Sequence, residues 1–331
     1  MHGAGTLGPV KAAVYYETGG PEVLRYEDVP DPVCHPRGVV IDVAAIGIEG
    51  GDTGNRARGA MPARPHVVGY NCAGIVREVG AEVTDRRVGD RVTALMPHGS
   101  HAARTSVPAT QTWLVPDGLS LEHAACVPVA WGTAHDCLFE FGRLARGETV
   151  LVQAAGGGVG LACVQLAKRA GATVLATAGS REKLERLRGF GVDHGIDYRA
   201  VDFVDAVRER TQGRGVDLVV DPVGGDTLQR SLLCLAYRGR AITVGNASRG
   251  DLRVDPAPLS AGNRSLTGVF LGAEALFQPA RVRAVLDEIL RDLARGELRV
   301  VVDRTFPLAE AAAAHAYVES RAAFGRVVLI P

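Results

Sequence analysis

The stretch Thr149-Val-Leu-Val-Gln-Ala-Ala-Gly-Gly-Gly-Val-Gly160, running into Leu161-Ala-Cys-Val-Gln-Leu-Ala-Lys-Arg-Ala-Gly171, reads as strand, glycine turn and helix in immediate succession. The apolar run 150–155 suits a strand buried on both faces of a parallel sheet, and 159–170 is apolar enough for a helix packed against it. Without Cβ atoms, Gly156, Gly157 and Gly158 are free to take positive φ and let a phosphate approach the backbone. Gly160 permits close packing of helix on strand, and Val159 lies within the same turn. Unpaired amides and the positive end of the helix dipole then face an anion, as in a dinucleotide pyrophosphate site. Lys168 and Arg169 fall in the last turn, where cations suit the dipole, and Gly171 fits a C-cap.

In NAD-binding units an acidic residue about 20 positions beyond the glycines grips the ribose 2′-hydroxyl. The second strand here, Thr173-Val-Leu-Ala-Thr-Ala-Gly179, ends without one. Ser180 reads instead as an N-cap, followed by Arg181 and Lys183 at the end of a helix that disfavours cations unless an anion is near. A 2′-phosphate would supply that anion, so NADPH is expected over NADH.

The rest of the chain sets the context. With 331 residues there is material for two cores. Net charge is +0 with no basic block, which argues against nucleic acid and anionic membrane surfaces as partners. No run of 18 uncharged apolar residues occurs, and the opening Met1-His-Gly-Ala-Gly-Thr lacks the regions of a signal peptide, so a cytoplasmic location is expected. Six cysteines, at 34, 72, 126, 137, 163 and 234, show no C-x-x-C spacing and read as small buried hydrophobes.

Residues 9–122 are β-rich, with strands expected over 11–16, 38–46, 72–79 and 90–94. From about 123 to 265 strand and helix alternate: strands begin at or span Val150, Thr173, 194–198, 216–220 and 240–245, with helices over 180–189 and 202–211. That rhythm predicts a doubly wound parallel sheet. A helix over 279–293, a strand near Val300, a helix over 308–320 and a strand over 326–330 complete the chain. The expected organisation is a β-rich domain over 1–122 completed by 266–331, with a nucleotide-binding domain inserted over 123–265.

Several motifs recur in a familiar order: Lys11-Ala-Ala-Val with Gly20-Pro-Glu-Val-Leu24, Gly47-Ile-Glu-Gly-Gly-Asp52, Gly69-Tyr-Asn-Cys-Ala-Gly-Ile-Val76 and Val88-Gly-Asp-Arg-Val92. Gly132-Thr-Ala134, the glycine turn, Asp221-Pro-Val-Gly-Gly225 and Glu319-Ser-Arg-Ala-Ala-Phe-Gly-Arg-Val-Val328 follow. In these the chain resembles the zinc-independent medium-chain dehydrogenase/reductase superfamily, in particular its quinone oxidoreductase, or zeta-crystallin-like, branch. The resemblance implies an α/β protein with a GroES-like β-rich catalytic domain and a Rossmann domain, usually a homodimer. Where zinc-dependent relatives carry ligands, this chain has Glu49, Gly69-Tyr70-Asn71 and Val129. Too few donors remain for a catalytic zinc, which needs three protein ligands, and a site built from Glu49, Asp52 and His66 would be unconventional.

Without a Lewis acid the chemistry that remains suits conjugated acceptors: hydride transfer to a quinone or to the β-carbon of an α,β-unsaturated carbonyl. The resemblance places Thr133, Gly156 through Gly160, Ser180, Lys183, Tyr198 and Arg321 around NADPH, with Gly245 and Asn246 near the nicotinamide. Tyr70, Asn71 and Asp52 are its candidate catalytic residues, Tyr70 as proton or hydrogen-bond donor and Asn71 as a neutral donor. Asp52 is equally readable as a helix cap. His98 and His101 read as surface histidines flanking a loop, and Trp131 as a packing residue. Two alternatives stay open. One is an enoyl reductase acting on a polyketide-like substrate, although the tyrosine of enoyl-thioester reductases has no counterpart in Thr53-Gly-Asn-Arg-Ala-Arg-Gly59. The other is a dinucleotide-binding sensor or structural protein with little turnover.

Overall fold

A computed structural model describes residues 8–251 and 253–331. The opening Met1-His-Gly-Ala-Gly-Thr stretch lies outside the described residues. One compact unit runs up to Val129 and resumes over Phe277–Pro331, and the other spans Ala130–Leu276, against junctions read from the sequence near 122 and 265.

The first unit opens with β1 (Val10–Tyr15), β2 (Arg25–Val29), β3 (Gly38–Gly47), α1 (Gly50–Arg58), β4 (His66–Val67) and β5 (Asn71–Val79). It continues with β6 (Arg91–Leu95), β7 (Arg104–Pro108), β8 (Thr112–Leu114) and the short α2 (Leu121–Ala124). β1 is the centre of a three-stranded sheet between β2 and β4. β3, the longest strand of this unit, pairs antiparallel with both β5 and β7. Alternation sends Val39, Ile41 and Val43 into a core shared with Val76, Val92 and Val107, and a register shift between Val43 and Ala45 brings Ile46 into the same core. Each such side chain contributes about 1.5–3 kcal/mol on burial. This GroES-like half needs strands from the far end of the chain to complete it.

Helix α3 (Pro128–His135) contains the boundary between the two units. The second unit then alternates β9 (Thr149–Val152), α4 (Gly158–Arg169), β10 (Thr173–Ala178), α5 (Arg181–Arg188), β11 (His194–Asp197), α6 (Phe203–Arg210), β12 (Val216–Asp221), α7 (Gly225–Ser231), β13 (Leu235–Thr243), α8 (Ala257–Ser260), β14 (Ser265–Gly268) and α9 (Leu271–Phe277). The sheet order is β11-β10-β9-β12-β13-β14, with every neighbouring pair parallel. This is the doubly wound Rossmann order, whose direction reverses between β9 and β12, so ligands are expected beyond the carboxyl ends of those strands. Val150, Leu151, Val152, Leu218, Val219 and Val220 are all fully buried, as strands covered on both faces require.

Two differences from the sequence expectation have physical causes. β13 starts at Leu235 rather than 240, because its pairing with β12 shifts register between Val216 and Leu218 and lets the strand continue through Tyr237-Arg238-Gly239. β14 and α9 extend the second unit beyond 265; the strand Ser-Leu-Thr-Gly is a four-residue edge with no buried residue, so it carries no hydrophobic periodicity.

The chain then returns to the first unit as α10 (Pro279–Ala294), β15 (Val302–Pro307), α11 (Ala311–Glu319) and β16 (Arg326–Ile330). β16 pairs antiparallel with the end of β3, Val328 opposite Gly47 and Leu329 opposite Ile46, closing the seven-stranded sheet.

Candidate functional site

The glycine turn is held from below. Gln153, at the end of β9, accepts a hydrogen bond from Thr177 Oγ1 at 2.6 Å and donates from Nε2 to Ser231 Oγ at 3.1 Å. Ser231 in turn donates to Asp221 Oδ2 at 3.1 Å, while Asp221 Oδ1 accepts the amides of Val223 and Gly224. Burial raises the Asp221 pKa against these donors. The network ties together the carboxyl ends of β9, β10 and β12.

Positive φ within the turn falls on Ala154, at 50°, and on none of Gly156, Gly157 or Gly158. What the turn requires of its glycines is space. A Cβ on Gly160 would lie 2.6 Å from both Ala154 O and Ala155 Cα, whereas one on Gly157 would meet only Ala154 O at 3.5 Å. Gly157 is the N-cap of α4 and offers no side-chain cap. The first intrahelical acceptor bond is Leu161 N to Gly157 O, so the amides of Gly158, Val159 and Gly160 have no acceptor within the helix. Three convergent N–H groups at the positive end of a 12-residue helix fit a pyrophosphate.

At the end of β10, Ser180 caps α5 by accepting the Lys183 amide at 3.3 Å. Tyr198 and Arg199 follow β11, and both lean on Gly179: a Cβ there would lie 2.8 Å from Tyr198 Oη and 3.2 Å from Arg199 Nε. Ser180, Lys183, Tyr198 and Arg199 thus gather at one end of the sheet, with no carboxylate closing β10. Arg199 was not read from the sequence; its only signal is that it follows Tyr198. Elsewhere in this unit, Thr133 is buried on α3. Gly245, at φ 112°, leads out of β13, and the Asn246 side chain is spent on its own loop, with Gly250 O and Ser248 Oγ.

In the first unit α1 organises the other candidates. Asp52 sits at its third position and accepts the Glu49 amide on Oδ2 at 2.8 Å. Its cap role is therefore built into the structure. Burial holds its carboxyl well above the usual carboxylate range. Glu49 is engaged by Arg326, whose Nη1 reaches Oε2 at 2.9 Å and whose Nη2 bonds both Oε1 and the Ile48 carbonyl. Burial works to lower the Arg326 pKa, but the adjoining Glu49 carboxylate more than offsets this and holds it above the usual value. Asn71 is fully buried; its Nδ2 donates to Gly47 O at 2.8 Å and its Oδ1 accepts from Val129 N at 3.4 Å.

Tyr70 differs from these buried neighbours in being partly exposed. Its ring lies against α1 where Gly51 leaves room, since a Cβ there would be 2.4 Å from Tyr70 Cε2. Asn55 Nδ2 donates to Tyr70 Oη at 2.7 Å, so the phenolic hydrogen is left to donate elsewhere. Burial, reinforced by Asp52 and opposed by Asn55, pushes the Tyr70 pKa up to about 12, which keeps the phenol protonated. Asn55 was also missed in the sequence. Arg321 stands beyond α11, exposed, at φ 60°.

His101 corrects a sequence reading. It is buried rather than on the surface, with its Nε2 3.0 Å from His315 Nε2, and burial pushes its pKa down to about 3. His98 is exposed and its ring meets that of His66 at a tilt of 56°, 5.1 Å between centroids. Trp131 is buried, as a packing residue would be.

The donor set does not fit a catalytic zinc. A guanidinium occupies both oxygens of Glu49, Asn71 presents a donor to Gly47, and the carboxylate of Asp52 serves the α1 terminus.

Residues 35–137 match the family model "Alcohol dehydrogenase GroES-like domain", and residues 158–291 match "Zinc-binding dehydrogenase". The chain is 38% identical to 2-haloacrylate reductase of Burkholderia sp over 97% of this chain and 99% of that protein. It is also 38% identical to a segment of a phenolphthiocerol/phthiocerol polyketide synthase of Mycobacterium tuberculosis, over 88% of this chain but 13% of the synthase. The solved structure of Escherichia coli quinone oxidoreductase complexed with NADPH superposes with a TM-score of 0.91 at 31% identity, covering 97% of this chain and 100% of that one.

Proposed function

Because the chain belongs to the zinc-independent, quinone oxidoreductase branch of the medium-chain dehydrogenase/reductase superfamily, we propose that it is an NADPH-dependent reductase of quinones or α,β-unsaturated carbonyls. The observation that carries this reading is the Glu49–Arg326 pair, which puts a fixed cation where a metal ligand would be needed. An acceptor that cannot be polarised by a Lewis acid must be activated by its own conjugation.

NADPH, when bound, supplies a hydride. The chain's residues do the rest. The amides of Gly158, Val159 and Gly160 would hold the pyrophosphate, with Gly156 and Gly157 giving access, and Ser180, Lys183, Tyr198 and Arg199 would hold the 2′-phosphate. Thr133, Gly245, Asn246 and Arg321 are proposed as further cofactor contacts. Tyr70 would donate its phenolic hydrogen to the carbonyl oxygen of the acceptor as negative charge develops there. Asn71 and Asp52 act as positioning residues: Asn71 fixes the strand start beside Tyr70, and Asp52 fixes the helix against which Tyr70 rests.

We further propose a homodimer in a cytoplasmic setting, with the β-rich domain over 1–122 and 266–331 as the catalytic half. A dimer is supported by the edge strand β14 and the exposed apolar side chains near it, Phe270 at 74%, Leu276 at 69% and Tyr237 at 71% exposure. All six cysteines are free thiols, which suits a reducing compartment. No helix among the described residues is long and apolar enough to cross a membrane.

Oxidation of NADPH in the presence of quinones, enals and enones tests the reading. Turnover with at least one class, and an NADPH preference over NADH, is expected; background rates throughout would overturn it. Tight NADPH binding without turnover would favour the sensor or structural alternative. Enoyl reduction is the second reading, favoured by the polyketide synthase match. Gly54, within the segment where enoyl-thioester reductases carry a tyrosine, has nothing within 4 Å of a notional Cβ.

A further inference from the structure

Tyr15, Asp52, Arg56 and His315 are fully buried, and together they carry five polar atoms with no protein partner: Tyr15 Oη, Asp52 Oδ1, Arg56 Nε and Nη1, and His315 Nδ1. They come from β1, α1 and α11: α1 packs on α11, and Tyr15 shares a core cluster with Ala311 and Ala314 of α11. Arg56 Nη2 reaches Glu319 on α11, and the Arg56 charge acts on both Tyr15 and His315. Tyr70 rests on the same helix, its ring against Gly51, the neighbour of Asp52, and its Oη bonded by Asn55, the neighbour of Arg56, so the group borders the Tyr70 phenol. His101 completes one wall through its ring contact with His315, and His66 another, edge-on to Tyr15 at 5.3 Å.

The orphaned atoms are complementary rather than alike. Arg56 offers two donors, Asp52 an acceptor, and Tyr15 can do both. They nevertheless do not bond one another. Buried polar groups left without partners are rare, and the common resolution is internal water making about three hydrogen bonds to such atoms. A cluster lined this way is polar enough to stay wet, unlike an apolar cavity.

We propose that Tyr15, Asp52, Arg56 and His315 hold a resident water cluster behind Tyr70, and that this water returns to Tyr70 the proton it gives up. The proposal rests on the reading of Tyr70 as proton donor. NADPH, when bound, would supply a hydride, and with it both electrons, to the β-carbon. The Tyr70 O–H bond breaks as an O–H bond forms on the substrate oxygen. In the same transition state the Tyr70 oxygen takes a proton from the adjoining water, and the deficit passes through the cluster toward solvent at Glu319, whose side chain is 19% exposed. Tyr15, Arg56 and His315 touch neither cofactor nor substrate in this scheme and act by positioning water.

The experiment compares wild type, Tyr15→Phe and Tyr70→Phe in NADPH-dependent turnover in mixtures of H2O and D2O, alongside a high-resolution crystal structure of the wild type. Ordered waters bonded to the orphaned atoms are expected. The wild-type rate should depend on the deuterium fraction along a bowed curve, the mark of more than one proton in flight. Tyr15→Phe should keep NADPH affinity and melting temperature, lose about 10-fold in kcat, and make that curve linear. Tyr70→Phe should lose about 100-fold or more, as for removal of a general acid. A dry cluster, or Tyr15→Phe with the wild-type rate and curve, overturns the proposal even if Tyr70→Phe is slow. Tyr70→Phe turning over at the wild-type rate sinks the donor reading itself. Should Tyr15→Phe fail to fold, the crystallographic waters and the wild-type curve still decide.

Discussion

At the glycine turn, backbone amides are what the proposed pyrophosphate site offers, and the side chains beneath them, Gln153, Thr177, Ser231 and Asp221, satisfy one another. At Tyr70 the arrangement is reversed: side chains do the work, and the backbone of α1 and β5 is the surface that holds them. The first kind of site needs only space and a helix terminus, so it is written in consecutive residues. The second needs charges brought together from distant parts of the chain, and its cost is borne in buried ion pairs.

That contrast can be broken most severely at Arg326. Arg326→Met leaves the buried Glu49 carboxylate without its counter-charge, and a loss of about 3–5 kcal/mol in denaturant unfolding of the β-rich unit is expected. Unchanged stability would mean that the pair is not what holds this loop. A subtler comparison lies within the turn. Gly160→Ala forces a Cβ onto backbone atoms 2.6 Å away and should cost about 1–3 kcal/mol, while Gly157→Ala meets only an ordinary contact. Gly157→Ala should therefore leave the melting temperature within about a degree or two, in keeping with a change well under 1 kcal/mol, yet weaken NADPH binding in calorimetry. Equal NADPH affinity in Gly157→Ala and wild type would remove the turn from the binding site.

A graded, pH-dependent effect is expected from the histidine pair. Burial holds His101 at about 3 and lowers His315 well below its usual value, so below about pH 6.5 the unfolded chain takes up protons that the native chain refuses. Stability should then fall with decreasing pH by up to about 1.4 kcal/mol per unit for each histidine. Asp52 and Glu49, whose folded pKa values are raised, act in the opposite sense, losing stability as pH rises. The difference between wild type and a His101→Asn/His315→Asn variant, followed from pH 7 to 5, isolates the histidine contribution; parallel curves would refute it.

Much of this was legible in the sequence. The strands flanking the turn, the α4 helix and the Ser180 cap follow from local periodicity and residue type, and each lies within a residue or two of its expected place apart from the carboxyl end of β9, which stops at Val152 with Gln153 and Ala154 already in the turn. Edge strand β14 was not, because a short exposed strand leaves no apolar pattern. Nor was the positive φ of Ala154, which runs against its residue type in a run of glycines. The Tyr70 surroundings were legible only as single residues. Glu49 meets Arg326 across 277 positions and His101 meets His315 across 214, and no spacing rule reaches that far.

The closing of β3 by β16 bears on how the polypeptide is made. Ribosomes release Gly47 and Glu49 long before Val328 and Arg326 emerge, and the whole Rossmann insert is synthesised in between. During that interval a carboxylate destined for the interior has no guanidinium to meet, so the first half waits as an incomplete sheet while the insert is free to fold on its own short-range contacts. Translation order alone thus makes β16 the latch of this sheet, and a nascent chain stalled before β16 emerges would expose the flank of β3 to whatever strand it meets first.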